Sequence, residues 1–101
     1  MSEQRLFEVV YERMGLDGCR LRCVGELDLA TAPLLRDALD PITARVELDF
    51  TDVTFLDSQG AAVLIAQQQR LRERGCALHI TGLHGEPRRA LEILGVVDEL
   101  T

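Results

Sequence analysis

The sequence contains no lysine and no tryptophan, and aromatic residues make up only 4% of it. Without a lysine, the chain cannot form a phosphate-binding loop of the kind found in nucleoside triphosphatases, in which a lysine contacts the phosphates. Acidic residues outnumber basic ones by 17 to 11, for a formal net charge of -6. Nucleic acids and anionic lipids attract basic surfaces, and nucleic-acid bases stack on aromatic side chains. We therefore expect neither a nucleic acid nor an anionic membrane surface as a partner.

Cysteine is also scarce, with three residues at Cys19, Cys23 and Cys76. The chain begins without the apolar segment of an export signal, and an odd number of cysteines in such a chain argues against a disulfide framework. A metal site that joins them to His79 or His84 is conceivable. The sequence has no Cys-x-x-Cys pair and no His-Glu-x-x-His helix to support such a site. We therefore favour the interpretation of the three cysteines as small buried hydrophobic residues. We therefore expect no metal, no cofactor and a cytoplasmic protein without membrane insertion.

The remaining composition is sufficient for one hydrophobic core. Of the 101 residues, 47% are apolar and 28% are charged, which predicts a single folded domain over residues 1–101. Alternating apolar residues mark strands, apolar residues three or four apart mark helices, and glycine and proline mark their ends. The predicted elements are strands at 6–13, 19–24, 46–50 and 76–81, and helices at 31–40, 58–74 and 86–94. Thr31 is predicted to cap the first helix.

The order of these elements, β-β-α-β-α-β-α, restricts the topology. The first two strands flank a turn with two glycines, which predicts an antiparallel hairpin. The later strands alternate with helices, and a strand-helix-strand unit joins parallel strands. We therefore predict an α/β fold with a mixed, mostly parallel sheet of four to five strands and helices packed against it.

The third strand, a loop and the second helix place a serine, Ser58, where the helix begins. Backbone amides at a helix start are unpaired and point outward, which favours a negative charge there. Gly60 has no side chain, so a phosphate or the backbone of another molecule could approach closely. Asp57 places a carboxylate next to the hydroxyl. We therefore expect the chemistry of the chain to centre on this junction.

The helix that follows Ser58 carries no charged residue between Gln59 and Gln69. A helix packed on a sheet buries only one stripe, so uncharged residues outside that stripe indicate a protein-contact surface. The alternative is that another element of the chain covers this face. The predicted buried stripe is Ala61, Leu64 and Leu71, and the predicted contact face is Ala62, Ile65 and Gln69.

The residues alone leave the role of the Ser58 hydroxyl open. As a helix N-cap, a serine stabilises by about 1 kcal/mol relative to alanine. As a catalytic nucleophile it would need a base and an oxyanion site; only His79 and His84 are candidate imidazole bases, and the flanking residues do not form a Gly-x-Ser-x-Gly motif. As a switch, the hydroxyl would control the binding of another protein, because it lies next to the predicted contact face.

Three segments of the chain, taken in order, resemble a known family. They are Gly25-Glu-Leu-Asp28, Val46-Glu-Leu-Asp-Phe50 and Val53-Thr-Phe-Leu-Asp-Ser-Gln-Gly60. Over nearly the whole chain this combination is similar to STAS domains, and most of all to bacterial anti-sigma factor antagonists, also called anti-anti-sigma factors. The resemblance implies that Ser58, in the family's Asp-Ser-x-Gly motif, is phosphorylated by an anti-sigma factor that is a serine kinase.

The resemblance further implies a non-enzymatic regulator that works by partner switching. The unphosphorylated protein binds the anti-sigma factor and frees a sigma factor; phosphorylation of Ser58 ends the binding, and a phosphatase restores it. Asp28 lies in the family's Gly-Glu-Leu-Asp loop, so it is either a partner contact or a cap of local amides. A STAS subunit of a signalling assembly or membrane transporter, without a phospho-switch, is the alternative. The expected partner-binding residues are Asp28, Asp57, Gln59, Gly60, Ala62, Ile65 and Gln69, of which Gln59 departs from the small residue often found in the family.

Overall fold

The structure is a computed structural model that describes residues 7–101. Leu6, the predicted start of the first strand, lies outside the described residues. The strands are β1 (Phe7–Met14), β2 (Cys19–Leu27), β3 (Val46–Leu56) and β4 (Leu78–Thr81), and the helices are α1 (Ala32–Leu39), α2 (Ser58–Glu73), α3 (Gly85–Leu94) and α4 (Val97–Leu100).

The strands form one sheet in the order β1-β2-β3-β4. β1 runs antiparallel to β2, as expected for the hairpin, and β2, β3 and β4 are parallel neighbours joined through α1 and α2. This arrangement confirms the predicted α/β fold with a mixed, mostly parallel sheet. The residues after α3 form the short helix α4, which was not among the predicted elements and docks on the rest of the chain through the buried side chain of Leu100.

One face of the sheet forms the hydrophobic core. Leu21, Leu48 and Phe50 have no exposed surface, and burying a side chain of this size contributes about 1.5–3 kcal/mol relative to leaving it in water. Cys19 and Cys23 lie on the same face and are buried, as the small-hydrophobe interpretation requires. Among residues 7–101, no three cysteine, histidine or acidic side chains come together as a metal site.

The opposite face of the sheet carries an ion-pair network. The Arg20 guanidinium donates to Glu47 at 2.6 Å, to Asp49 at 3.2 Å and to Glu12 at 3.2 Å. The hydroxyl of Thr51 also donates to Asp49 and, with Arg20, holds the pKa of that carboxyl below its ordinary value. The Arg20 side chain is about one-third exposed and that of Asp49 is 15% exposed, so these pairs are only partly screened by solvent. This face of the sheet is therefore polar and partly solvated, in contrast to the apolar core face.

β2 and β3 are longer than predicted. β2 continues to Leu27 rather than ending at Val24, and β3 continues to Leu56 rather than ending at Phe50. The β2–β3 register shifts twice, each time with an additional residue on β3, which breaks the strict alternation on which the prediction depended. The buried positions of this part of β3 are consequently three apart, at Phe50, Val53 and Leu56.

Two other local predictions were wrong. β4 begins at Leu78 rather than Cys76, because the Cys76 amide donates to the Leu71 carbonyl and closes the end of α2. Thr31 occupies the N-cap position of α1, but its hydroxyl makes no capping bond. That hydroxyl accepts from the Asp28 amide at 2.9 Å instead, so it stabilises the loop before the helix.

Candidate functional site

The site lies at the edge of the sheet where β2 and β3 end side by side, at Leu27 and Leu56. Because the two strands are parallel, the loops that follow them start next to each other. The Asp57 amide donates to the Leu27 carbonyl at 3.1 Å, and the Leu29 amide donates to Asp57 Oδ2 at 3.2 Å. The loop after β2 and the start of α2 are thereby tied together.

Asp57, not Ser58, is the N-cap of α2. Its backbone is extended, and Oδ1 accepts from the amides of Gln59 at 2.9 Å and Gly60 at 3.0 Å. An aspartate in this position also complements the positive end of the helix dipole. The interpretation of Ser58 as a cap is therefore wrong. So is the expectation that the first amides of the helix all point outward, since Asp57 occupies two of them.

Ser58 is the first residue of α2, and its side chain is exposed to solvent. Within residues 7–101, no hydrogen bond forms to its hydroxyl. The hydroxyl is thus held by the cap at a fixed position on the surface and has no structural partner there. Such a group is accessible to an incoming enzyme, which could bring its own base.

Neither histidine is near Ser58. His79 pairs with Glu47, nine positions before the end of β3, which places it about 30 Å away along a strand that rises about 3.3 Å per residue. The His84 ring lies 2.9 Å from the carbonyl oxygen of Thr51, in the middle of the same strand. The part of the chain that the structure describes therefore supplies no imidazole base for a nucleophilic serine.

Gly60 is buried against β2. A Cβ atom at this position would lie 2.8 Å from Leu27 Cγ and 2.9 Å from the Leu27 carbonyl oxygen, closer than Cβ contacts allow. The expectation that Gly60 leaves room for another molecule is wrong, because Leu27 fills that room. Gly60 serves the site indirectly, by letting α2 begin in direct contact with the end of β2.

Asp28 is also buried, with 6% of its surface exposed. Its Oδ1 accepts from the amides of Ala30 at 3.0 Å and Thr31 at 3.1 Å, and its carbonyl accepts from Ala32 at 2.7 Å. Of the two interpretations of this residue, the structure shows the capping of local amides. Contact between its carboxylate and a partner stays a prediction. The bonds around Asp28 fix the loop that presents Leu29.

The faces of α2 match the predicted pattern. Ala61, Leu64 and Leu71 are buried, which confirms the inward stripe. Ala62 and Gln69 are exposed, and Ile65 is partly exposed.

Two buried glutamines on α2 were not predicted. Gln67 donates to Asp40 at 2.7 Å. Gln68 donates to the carbonyls of Leu78 at 2.9 Å and Glu99 at 2.6 Å, and accepts from the Leu78 amide at 2.9 Å. Gln68 thereby joins α2 to β4 and to α4.

Two exposed apolar side chains beside Ser58 were also not predicted. Leu29 is 69% exposed and Phe55 is 38% exposed, and both line a surface hollow next to Asp57. Neither belongs to a periodic apolar pattern, so nothing local distinguishes them. The only signal in the sequence is their position beside Asp28 and Asp57, the acidic residues of the two family motifs.

Comparisons with known proteins agree with this geometry. A family model described as "Mlab, STAS domain" matches residues 11–101. An anti-sigma-B factor antagonist of Listeria monocytogenes is 33% identical over 78 residues, covering 73% of this chain and 68% of the relative. None of the helices among residues 7–101 has the length and apolar character needed to cross a membrane.

Solved structures of low sequence identity share the fold. An anti-sigma factor antagonist from Mycobacterium paratuberculosis has a TM-score of 0.79 at 24% identity, covering 97% of this chain and 86% of that one. The unphosphorylated form of the anti-sigma factor antagonist SpoIIAA has a TM-score of 0.75 at 16% identity, covering 95% and 86%. Its phosphorylated form, from Bacillus, has a TM-score of 0.67 at 16% identity, covering 94% and 87%. On the family match over most of its length, the chain belongs to the STAS domain family.

Proposed function

We propose that this protein is an anti-sigma factor antagonist, a regulatory binding protein rather than an enzyme, controlled at Ser58. The observation that carries the proposal is the exposed hydroxyl at the first residue of α2, which has no hydrogen-bond partner among residues 7–101, in a chain whose relatives bear that name. The partner is an anti-sigma factor with serine kinase activity. In the cytoplasm, the unphosphorylated protein binds this anti-sigma factor, and the sigma factor that it had held is released for transcription.

The kinase resets the switch by phosphorylation. The γ-phosphoryl group of ATP passes to Ser58 Oγ, ADP leaves, and the hydroxyl proton goes to a base of the kinase, since no imidazole of this chain is within reach. A separate phosphatase hydrolyses the phosphoserine and restores binding. The protein itself contributes a substrate hydroxyl and a contact surface, and no catalytic group.

The electrostatics of the site support such a switch. A phosphoserine carries about -1.5 to -2 charges at pH 7 and would stand next to the Asp57 carboxylate. The amides of Gln59, Gly60 and Leu29 already donate to Asp57, so they do not neutralise the added charge. An interface charge that is left mispaired costs about 2–5 kcal/mol. Because 1.4 kcal/mol corresponds to tenfold in affinity, the phosphate is sufficient to end binding without refolding.

Two variants test this function. Purified anti-sigma factor serine kinases from the same organism are titrated with the wild-type protein, Ser58→Ala and Ser58→Asp, and phosphate transfer from labelled ATP is followed. We expect the wild-type protein to bind and be phosphorylated, Ser58→Ala to bind without being phosphorylated, and Ser58→Asp to bind at least tenfold more weakly. Equal binding by both variants would contradict the switch. Binding to a transporter ATPase instead of a kinase would favour the alternative role as a transporter subunit.

A further inference from the structure

A groove of 370 Å³ lies between α1 and α2 and begins beside Ser58. Gln59 lines its start, Ala62 and Ala66 line it along α2, and Pro33 lines it from α1. Its size and its predominantly apolar lining are those of a site that receives side chains of another molecule. The groove therefore runs along α2 for about two helical turns from the candidate phosphorylation site.

The walls of the groove are held at a fixed separation. At its far end, Gln67 on α2 donates to Asp40, directly after α1, at 2.7 Å. Arg70 donates to the carbonyls of Leu39 at 2.8 Å and Ile42 at 3.0 Å, which satisfies the end of α1. A preformed groove binds more tightly than one that must be ordered on binding, because less conformational entropy is lost.

Leu29 connects the groove to the hollow at Asp57. It lines both concavities and is 69% exposed. Asp57, the residue before Ser58, lines the hollow, and Gln59, the residue after it, lines the groove. A partner that covers Ser58 thus meets an exposed leucine that borders both concavities. Large apolar side chains at the centre of an interface commonly supply most of its binding energy.

Arg36 gives the groove a charge preference. It lines the groove. Among residues 7–101, its guanidinium contacts only its sequence neighbour Asp37, at 3.4 Å, with both side chains more than half exposed. A pair between adjacent exposed side chains contributes little, so Arg36 is available to a carboxylate. The other charged lining residue, Asp40, already accepts from Gln67. The groove is therefore complementary to an apolar segment that carries an acidic side chain.

We propose that the groove between α1 and α2, together with Leu29, is the docking site for an apolar segment of the anti-sigma factor that carries a carboxylate opposite Arg36. This inference depends on the proposed function and adds the location of the contact. The interface follows Gln59, Ala62 and Ala66, rather than the line from Ala62 to Gln69 that helical spacing from Ser58 predicts.

A matched pair of variants on α2 tests the location. Ala66→Arg places a long charged side chain in the groove, about 12 Å along the helix from Ser58, whereas Gln69→Arg places the same charge on the exposed face outside it. We expect Ala66→Arg to weaken binding of the unphosphorylated protein to the anti-sigma factor kinase at least tenfold. Gln69→Arg is expected to change it less than twofold, by titration calorimetry at constant salt.

Leu29→Asp and Arg36→Glu extend the test without touching the core. Both side chains are exposed, so their thermal unfolding midpoints are expected to stay near that of the wild type, and each variant is expected to bind at least fivefold more weakly. If Ala66→Arg fails to fold, these two variants decide the question.

The failure of this inference is distinguishable from failure of the function. If the wild-type protein binds the kinase and is phosphorylated at Ser58 while all groove variants bind as tightly, the docking site is overturned and the function stands. If Gln69→Arg weakens binding as much as Ala66→Arg, the interface lies on the outer face and the docking site is likewise overturned. If the wild-type protein neither binds nor is phosphorylated, both proposals fail.

Discussion

The Asp57 carboxylate accepts a hydrogen bond from the backbone amide of Leu29 at 3.2 Å, across 28 positions of sequence. The same carboxylate caps α2 through its other oxygen. One side chain therefore sets both the start of the helix that carries Ser58 and the position of the exposed leucine beside it. Asp57 therefore links the stability of this edge of the sheet to the surface that we propose binds the partner.

The neighbours Asp57 and Ser58 should differ sharply in their effect on stability. Asp57→Ala removes three hydrogen bonds to backbone amides, including the cap, and is expected to lower the free energy of unfolding by about 1–2 kcal/mol. Ser58→Ala removes a hydroxyl that has no partner among residues 7–101 and should stay within about 0.5 kcal/mol of the wild type. Urea unfolding followed by circular dichroism measures both. A loss for Ser58→Ala as large as that for Asp57→Ala would contradict the assignment of the cap.

Gly60→Ala tests the close contact between α2 and β2, and the sign of its effect is diagnostic. The φ angle of Gly60 is not positive, so in an uncrowded helix alanine would stabilise by about 1 kcal/mol. Here the added Cβ would lie 2.8 Å from Leu27 Cγ, and we expect destabilisation by about 1–3 kcal/mol. Chemical denaturation gives the sign directly. A more stable Gly60→Ala variant would show that the start of α2 can move away from β2.

Cys23 should make the fold sensitive to alkaline pH. Burial raises the pKa of its thiol from 9.0 to about 12. The folded state therefore retains the proton after the unfolded chain has released it. This contribution to stability is complete below pH 9 and is lost as the pH rises from 9 toward 12, with a slope of at most about 1.4 kcal/mol per pH unit.

The control for this prediction is Cys23→Ala, which retains every other titrating group. Its free energy of unfolding should be lower at pH 7, because the substitution leaves a small cavity, but it should fall less steeply between pH 9 and 11 than that of the wild type. Urea titrations across this range measure both slopes. Parallel curves for the two proteins would show that the thiol is not responsible.

Local patterns were sufficient to predict the order of the elements through α3 and the junction at Ser58. The mixed sheet follows from the alternation in β2 and β3 and from the helices between strands. The inward stripe of α2 at Ala61, Leu64 and Leu71 follows from helical spacing, because the spacing of apolar residues within one helix identifies the face that it buries.

Several of the features that were missed depend on residues distant in sequence. The length of β3 depends on its shifted register with β2, and the burial of Gln68 depends on Leu78 and on Glu99 in α4. The choice of Asp57 over Ser58 as the cap could not be made from propensity, because both residue types are favoured at this position. The groove is formed by α1 and α2 together, so the sequence of α2 alone pointed to a neighbouring face.

The cap at Asp57 also bears on how such a protein can evolve. Because Asp57 rather than Ser58 caps α2, position 58 can change without destabilising the fold. In the switch that we propose, alanine at position 58 would leave the protein permanently able to bind, and aspartate would leave it permanently unable to bind, while each variant still folds. On that proposal, a copy of this domain could lose its regulation by mutation at a single codon, and the reverse mutation would restore it.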